Sequence, residues 1–148
     1  MKIAYALLIL LSSFFSSVKA IESVSLTPSE LKKAVNLING LQNKILMSGS
    51  QISDVDTLFS HYTEDFVYIH EVYGGTYTRQ HLYSNYVKFL KAGDYQRKDD
   101  RYKVTAMIAG HNAISVERQE IYEGEIVKHL SVFEFKGHKV SKIIEYWK

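Results

Sequence analysis

The last stretch of the chain, residues 129–148, constrains the fold more than any other and reads HLSVFEFKGHKVSKIIEYWK. Two runs within it, residues 130–135 and 140–147, are rich in the β-branched and aromatic residues that strands favour. Between them, Gly137 supplies the backbone freedom that a tight reversal needs. We therefore predict a C-terminal β-hairpin, from which the rest of a sheet is built outward.

Helical signals come before this hairpin. Residues 27–30 read Thr-Pro-Ser-Glu, which is a capping box with proline at the first helical position, and apolar residues then recur at helical spacing. A second, shorter helix follows, for which Ser53 is the expected cap. A third helix begins after Thr78 and ends at Gly93. Its predicted buried face consists of Leu82, Tyr83, Tyr86, Phe89 and Leu90.

Strand-like segments separate and follow these helices. Residues 66–73 alternate in polarity before the third helix, and three further strand-like runs after residue 102 lead into the terminal hairpin. Two helices, a strand pair, a helix and a meander make an α+β arrangement. We expect three helices packed on one face of a strongly curved antiparallel sheet.

The N-terminus has the pattern of a secretory signal peptide. Lys2 precedes an apolar run that ends near residue 15, and small residues lead to an expected cleavage site after Ala20. The run is shorter than the roughly 20 residues that a membrane-spanning helix needs, so an uncleaved anchor is the weaker alternative. We predict a signal peptide over 1–20, a single domain over 21–148, and a periplasmic or secreted bacterial protein without a stable membrane anchor.

Charge and composition exclude several functions. The chain has 18 Lys and Arg and 16 Asp and Glu, and Lys2 and Lys19 belong to the predicted leader, which leaves 16 of each sign. Such a balance provides no positive field for nucleic acid or anionic lipid. Cysteine is absent, so the core alone must stabilise the domain. The histidines form neither an HExxH nor an HxH pattern, so we expect neither a metal site nor a cofactor.

The order of elements resembles the nuclear transport factor 2-like superfamily, and most closely its SnoaL-like branch of polyketide cyclases and steroid isomerases. The resemblance rests on residues 62–66 (YTEDF), on Gly74-Gly75-Thr76 before the third helix, and on the closing segment 133–147. It implies a cone-shaped domain whose sheet wraps around the helices and leaves an apolar pocket open at one end.

The resemblance also implies candidate catalytic residues. In the steroid isomerases of this superfamily the general base lies near the end of the first strand, and counting from Tyr62 places His70 there. An imidazole with a pKa of about 6.5 suits that role. The family residue is aspartate, however, and a shift of one residue would offer Glu71 instead. The family's oxyanion donors are also replaced, one of them by Ser131, so steroid isomerisation itself is not expected.

Alternation along the last two strands places further side chains toward the pocket. His129, Ser131 and Phe133 share one face, and Glu145 and Trp147 follow on the next strand. A carboxylate among apolar residues requires a partner such as His70, His129 or Arg118. With the opposite register Glu145 would be a solvated charge, and Trp147 is equally a candidate core residue. The predicted catalytic residues are His70 and Glu145, and the predicted ligand contacts are Phe66, Tyr68, His129, Ser131, Phe133 and Trp147.

The opposite face of the same two strands is also apolar. It carries Leu130, Val132, Val140, Ile144 and Tyr146. Apolar sheet faces that remain exposed commonly meet a partner, so we predict a homodimer through the outer sheet face.

Two functions remain. The first is an exported domain that binds a small apolar or aromatic ligand; as an enzyme, it would isomerise, cyclise or dehydrate a small apolar carbonyl compound by acid–base chemistry. The second is a non-catalytic periplasmic protein–protein interaction or assembly module with a vestigial pocket. An open cavity lined by His70 and Glu145 favours the first, and an interior filled by side chains favours the second.

Overall fold

A computed structural model describes residues 24–148, so the predicted signal peptide lies outside the described residues. The described chain forms three helices and six strands. The helices are α1 (Pro28–Leu46), α2 (Ile52–Ser60) and α3 (Arg79–Ala92). The strands are β1 (Tyr62–His70), β2 (Gly75–Thr78), β3 (Lys103–Ala109), β4 (Ala113–Tyr122), β5 (Glu125–Lys136) and β6 (Lys139–Glu145). Within residues 24–148, no helix has the length and apolar character needed to cross a membrane.

The helix ends follow the local sequence signals, with one exception. The capping box of α1 is confirmed, since Thr27 N donates to Glu30 Oε2 at 2.8 Å and Glu30 N donates to Thr27 Oγ1. The caps of α3 are also confirmed, with Thr78 at its start and Gly93 in the left-handed region at its end. The expected cap of α2 at Ser53 is wrong, because the helix begins earlier and its first turn is closed by Asp54, which accepts from Gln51 N at 2.9 Å.

The six strands form one curved sheet in the order β2-β1-β6-β5-β4-β3. The predicted terminal hairpin is confirmed: β5 and β6 pair antiparallel through the turn at Gly137, whose φ is +58°. This hairpin lies in the middle of the sheet. All neighbouring pairs are antiparallel except β1 and β6, which run parallel. The sheet is therefore mixed, because the C-terminal strand enters beside β1 in the same direction.

The core lies between the helices and the concave face of the sheet. Leu31, Val35 and Ile38 of α1 pack there with Phe59 of α2 and the inward residues of the strands. By contrast, α3 has no fully buried residue. The face predicted to be its buried one is only partly covered, because an open cavity and not a filled core lies beneath part of it.

A β-bulge in β6 changes the predicted outer face. Glu134 pairs with Lys142 and Phe135 pairs with Val140, so Ser141 is the extra residue and both Val140 and Ser141 are buried. Val140 was expected on the outer face, and that expectation is wrong because the bulge shifts the alternation by one residue.

Candidate functional site

A cavity of about 530 Å³ opens between α1, α3 and the concave face of the sheet. Volumes of this size are usual for small-molecule sites. Its wall is largely aromatic and includes Tyr68, Tyr77, Tyr86, Tyr95, Tyr102 and Trp147. The predicted catalytic residues His70 and Glu145 both line it. The interior of the cone is therefore not filled by its own side chains.

A buried ion pair lies at the base of this cavity. Arg118 of β4 donates from Nη2 to Glu145 Oε1 of β6 at 2.6 Å, and both side chains are at most 3% exposed. Arg118 also donates from Nη1 to Gln42 Oε1 at 2.8 Å, and its guanidinium lies 4.4 Å from the centre of the Tyr102 ring. The pair therefore ties α1 to two strands of the sheet. Of the three partners predicted for Glu145, the structure brings Arg118 to it.

Both oxygens of Glu145 are occupied. Oε1 accepts from Arg118, and Oε2 accepts from Ser131 Oγ at 2.8 Å and from the indole Nε1–H of Trp147. Three donors, one of them a guanidinium, therefore converge on this carboxylate. Glu145 thus positions Arg118 and Trp147, and the geometry does not favour it as a general base.

His70 has one nitrogen engaged and one without a partner. It ends β1, is 7% exposed, and its Nδ1 accepts from Tyr73 N at 3.4 Å. Its Nε2 is buried and forms no hydrogen bond with any described residue. The ring lies 4.8 Å from the indole of Trp147 in an edge-to-face arrangement. A buried polar atom without a partner is unusual in a folded protein, and here it occurs on a residue of the cavity wall.

His129 belongs to a second cluster behind this wall. It is 1% exposed and packs between Tyr102 and Trp147, whose ring centres lie 5.6 Å and 4.3 Å away. Its Nε2 lies 2.9 Å from Glu120 Oε1, but the two atoms are not aligned for a hydrogen bond. Burial lowers the pKa of His129, more than the charge of Glu120 raises it. Glu120 instead binds Arg101 through two hydrogen bonds of 2.6 Å and 3.2 Å.

The predicted ligand contacts separate into two groups. Tyr68 and Trp147 line the cavity, whereas Phe66, His129, Ser131 and Phe133 are buried and do not line it. Alternation placed these four on the inner face correctly. It could not tell which inward residues face the cavity and which pack under the helices, because that depends on where α1 and α3 cross the sheet. Phe66 stacks on Tyr62 at 4.2 Å as part of the core.

Sequence reasoning missed several residues of the site. Tyr86 of α3 was assigned to the buried face, and Tyr102 and Arg101, which precede β3, were not singled out. Glu120 was missed although a signal for it existed: with Arg118, which was predicted as a possible partner of Glu145, it continues the alternation of Ile114 and Val116 along β4 and is buried with them.

Burial holds three tyrosines of the cavity, Tyr68, Tyr86 and Tyr95, in their uncharged form. Burial raises the pKa of Tyr68 and of Tyr86 far above the ordinary value, and it raises the pKa of Tyr95 to about 12. Their hydroxyls therefore act as neutral groups that donate and accept hydrogen bonds. Within residues 24–148, no group of three His, Asp or Glu side chains is placed to hold a metal ion.

Comparison with proteins of known structure identifies this fold. No protein-family profile matches the chain, and no curated protein matches it significantly. Several solved structures do match the chain. An NTF-2-like protein from Burkholderia xenovorans is 17% identical, with a TM-score of 0.60 over 81% of this chain and 84% of that one. An NTF-2-like protein from Pseudomonas aeruginosa is 11% identical, with a TM-score of 0.61 over 80% of this chain and 98% of that one.

A third similar structure comes from Catenulispora acidiphila. It has a ketosteroid isomerase-like fold, was solved in complex with trimethylamine, and is 11% identical with a TM-score of 0.50 over 75% of this chain and 85% of that one. At these identities the likeness concerns the fold, and it agrees with the helices, the curved mixed sheet and the open cavity. The chain therefore has the nuclear transport factor 2-like fold that the order of its elements predicted.

Proposed function

We propose that this protein is an exported small-molecule-binding domain whose cavity takes a small apolar or aromatic ligand. The observation that carries the proposal is the open, aromatic-walled cavity of about 530 Å³ with a buried, unpaired imidazole nitrogen in its wall. Aromatic walls with a few polar groups are typical of sites for flat or apolar ligands. The trimethylamine complex of the Catenulispora protein supports the view that this fold holds small molecules.

For catalysis, the site favours acid–base isomerisation, cyclisation or dehydration of a small apolar carbonyl compound. His70 is the imidazole of the cavity wall, and its Nε2 has no hydrogen-bond partner among the described residues. The phenols of Tyr68 and Tyr86 supply neutral donors. Steroid isomerisation is not proposed, because Ser131 replaces the acid that this family uses and donates its hydroxyl to Glu145.

A thermal-shift screen of the chain from Ile21 onward tests ligand binding. The panel contains steroids, polyketide-like aromatic compounds, fatty acids and bile acids, and a ligand that binds only the folded state raises the melting temperature. We expect a hit that is lost in His70→Ala and kept in His138→Ala, because His138 lies exposed at the β5–β6 turn. A hit that survives His70→Ala, or no hit across the panel, contradicts the proposal. Cleavage after Ala20 on expression in a bacterium tests the export.

The outer sheet face favours a second candidate, assembly through protein–protein contacts. Leu130, Val132, Ile144 and Tyr146 form an outer patch on neighbouring strands, and Leu130 and Tyr146 are 46% and 44% exposed. If this patch joins two copies of the chain, light scattering will give twice the monomer mass, and Leu130→Lys will return the monomer. The remote control Glu123→Lys, in the β4–β5 turn, should keep the dimer. A monomeric wild type would contradict assembly of the chain with itself.

A further inference from the structure

We propose that His70 presents an Nε2–H donor to the cavity and recognises an acceptor oxygen of an uncharged ligand, so that it acts as a donor and not as a base. The part of this inference that concerns the ligand rests on the proposed function. The part that concerns which nitrogen of the His70 ring carries the proton does not. It assigns to His70 the opposite of the role that the family resemblance implied.

The first step concerns the ring itself. Tyr73 N is a donor and lies 3.4 Å from His70 Nδ1, in the turn that follows β1. The same turn is closed by Gly74 N, which donates to the His70 carbonyl at 2.9 Å, so the backbone fixes Tyr73 N beside the ring. In a neutral imidazole one nitrogen accepts and the other carries the proton. Since Nδ1 accepts, the proton lies on Nε2.

The second step concerns what this proton can meet. Nε2 is buried and has no partner within residues 24–148, and its ring is flanked by Tyr73 at 4.5 Å and Trp147 at 4.8 Å. Neither aromatic ring offers a strong acceptor to it. A buried N–H without a partner costs free energy that an acceptor supplied by a ligand would recover. The group that fits is therefore a carbonyl, ether or hydroxyl oxygen.

The third step concerns the charge of the ligand. Arg118 is paired with Glu145, and Arg101, which also lines the cavity, is paired with Glu120. The described wall thus carries no unpaired charge for a charged ligand to meet. An anion or a cation would lose its hydration without gaining an opposite charge. The wall therefore selects an uncharged aromatic compound with at least one acceptor oxygen.

The chemical consequence follows from the donor. An Nε2–H aimed at a carbonyl oxygen stabilises negative charge that develops there, which is the role of an oxyanion donor. It cannot accept a proton from the ligand at the same atom. Any base in a reaction at this site must then be another group, and Glu145 is unsuitable because its oxygens are occupied.

Two measurements test the proposal. In ¹⁵N-labelled protein, two-bond ¹H–¹⁵N correlation spectra distinguish the two neutral tautomers of each histidine, and comparison with His70→Phe identifies the His70 signals. We expect the proton on Nε2 at neutral pH. A proton on Nδ1 would overturn the proposal whether or not the cavity binds anything.

The second measurement uses three probes of similar shape: 2-acetylnaphthalene, 2-isopropenylnaphthalene and 2-naphthoate. Calorimetry of the wild type should give up to about tenfold tighter binding of the ketone than of the hydrocarbon, which is the size of one hydrogen bond. The preference should disappear in His70→Phe, persist in part in His70→Gln, whose amide keeps a donor, and remain in the control His138→Phe.

The outcomes separate the two proposals. Equal binding of the ketone and the hydrocarbon by the wild type would overturn the donor role while leaving the proposed function intact. Binding of 2-naphthoate as tight as that of the ketone would overturn the selection of an uncharged ligand. Binding of none of the probes would contradict an aromatic-ligand function, and the tautomer spectrum would then decide the state of His70 by itself.

Discussion

Replacing Arg118 with methionine should destabilise this protein strongly. The substitution removes the guanidinium but keeps a long apolar side chain, so little volume is lost. It deletes the hydrogen bonds from Arg118 to Gln42, Ser131 and Glu145. The Glu145 carboxylate, which is only 2% exposed, would then be buried without its cation. Glu145 would keep only the donors of Ser131 and Trp147.

The magnitude follows from the burial of the pair. Removing one partner of a buried ion pair costs about 3–5 kcal/mol, because the remaining charge has been desolvated without compensation. A domain of this size has a free energy of unfolding of roughly 5–15 kcal/mol, so at least about a fifth of it would be lost. The corresponding drop in melting temperature is about 10–20 °C.

Urea unfolding followed by circular dichroism measures the effect. The matched control is Lys142→Met, because Lys142 and Glu134 form a pair of 2.9 Å whose side chains are 36% and 38% exposed, and such pairs contribute about 0–1 kcal/mol. The double variant Arg118→Met/Glu145→Gln should be more stable than Arg118→Met alone, since it no longer buries an uncompensated charge. The reasoning fails if Arg118→Met costs no more than Lys142→Met, or if the double variant is the less stable one.

Four further substitutions have effects of predictable sign. Thr27→Ala removes the cap of α1 and should lower the free energy of unfolding by about 1 kcal/mol in urea titrations; an unchanged value would contradict the role of the cap. Gly40→Ala, in the middle of α1 with no atom near the added methyl, should raise the free energy of unfolding by about 0.5–1 kcal/mol. Gly93→Ala, at a φ of +76°, should lower it. Changes of the same sign in the same titrations would refute this. Because burial lowers the pKa of His129, the unfolded state binds a proton more readily than the folded state does. The free energy of unfolding should therefore fall as the pH decreases from about 7 through 6.5, and His129→Phe should flatten this dependence in unfolding experiments at several pH values. An equally steep dependence in the variant would show that other groups cause it.

Much of the fold could be predicted from the sequence because its signals are local. The capping box at Thr27, the left-handed glycine after α3 and the hairpin turn at Gly137 each depend on residues a few positions apart. Alternation along β5 correctly placed His129, Ser131 and Phe133 on the inner face. The order of these elements was enough to indicate the fold. The cap of α2 failed because Ser53 and Gln51 precede equally placed acidic residues, and only the packed helix selects between them.

The site depended on contacts between distant segments. Arg118 and Glu145 are 27 residues apart in sequence, and Gln42 is 76 residues from Arg118, so no local pattern pairs them. The bulge at Ser141 shifted Val140 to the inner face, and the parallel entry of β6 beside β1 set Glu145 across from His70.

The sequence by itself determined which side chains of the regular strands and helices turn inward, except at the bulge beside Val140, since alternation and helical period are properties of the backbone. Only the tertiary structure decided which of them meet a cavity and which meet one another. That decision depends on strand register and on where the helices cross the sheet, and both are set by the packing of the whole core. Both oxygens of Glu145 therefore accept hydrogen bonds from neighbouring side chains, whereas His70 Nε2 has no partner among the described residues, although both residues were predicted from the same inward-facing pattern.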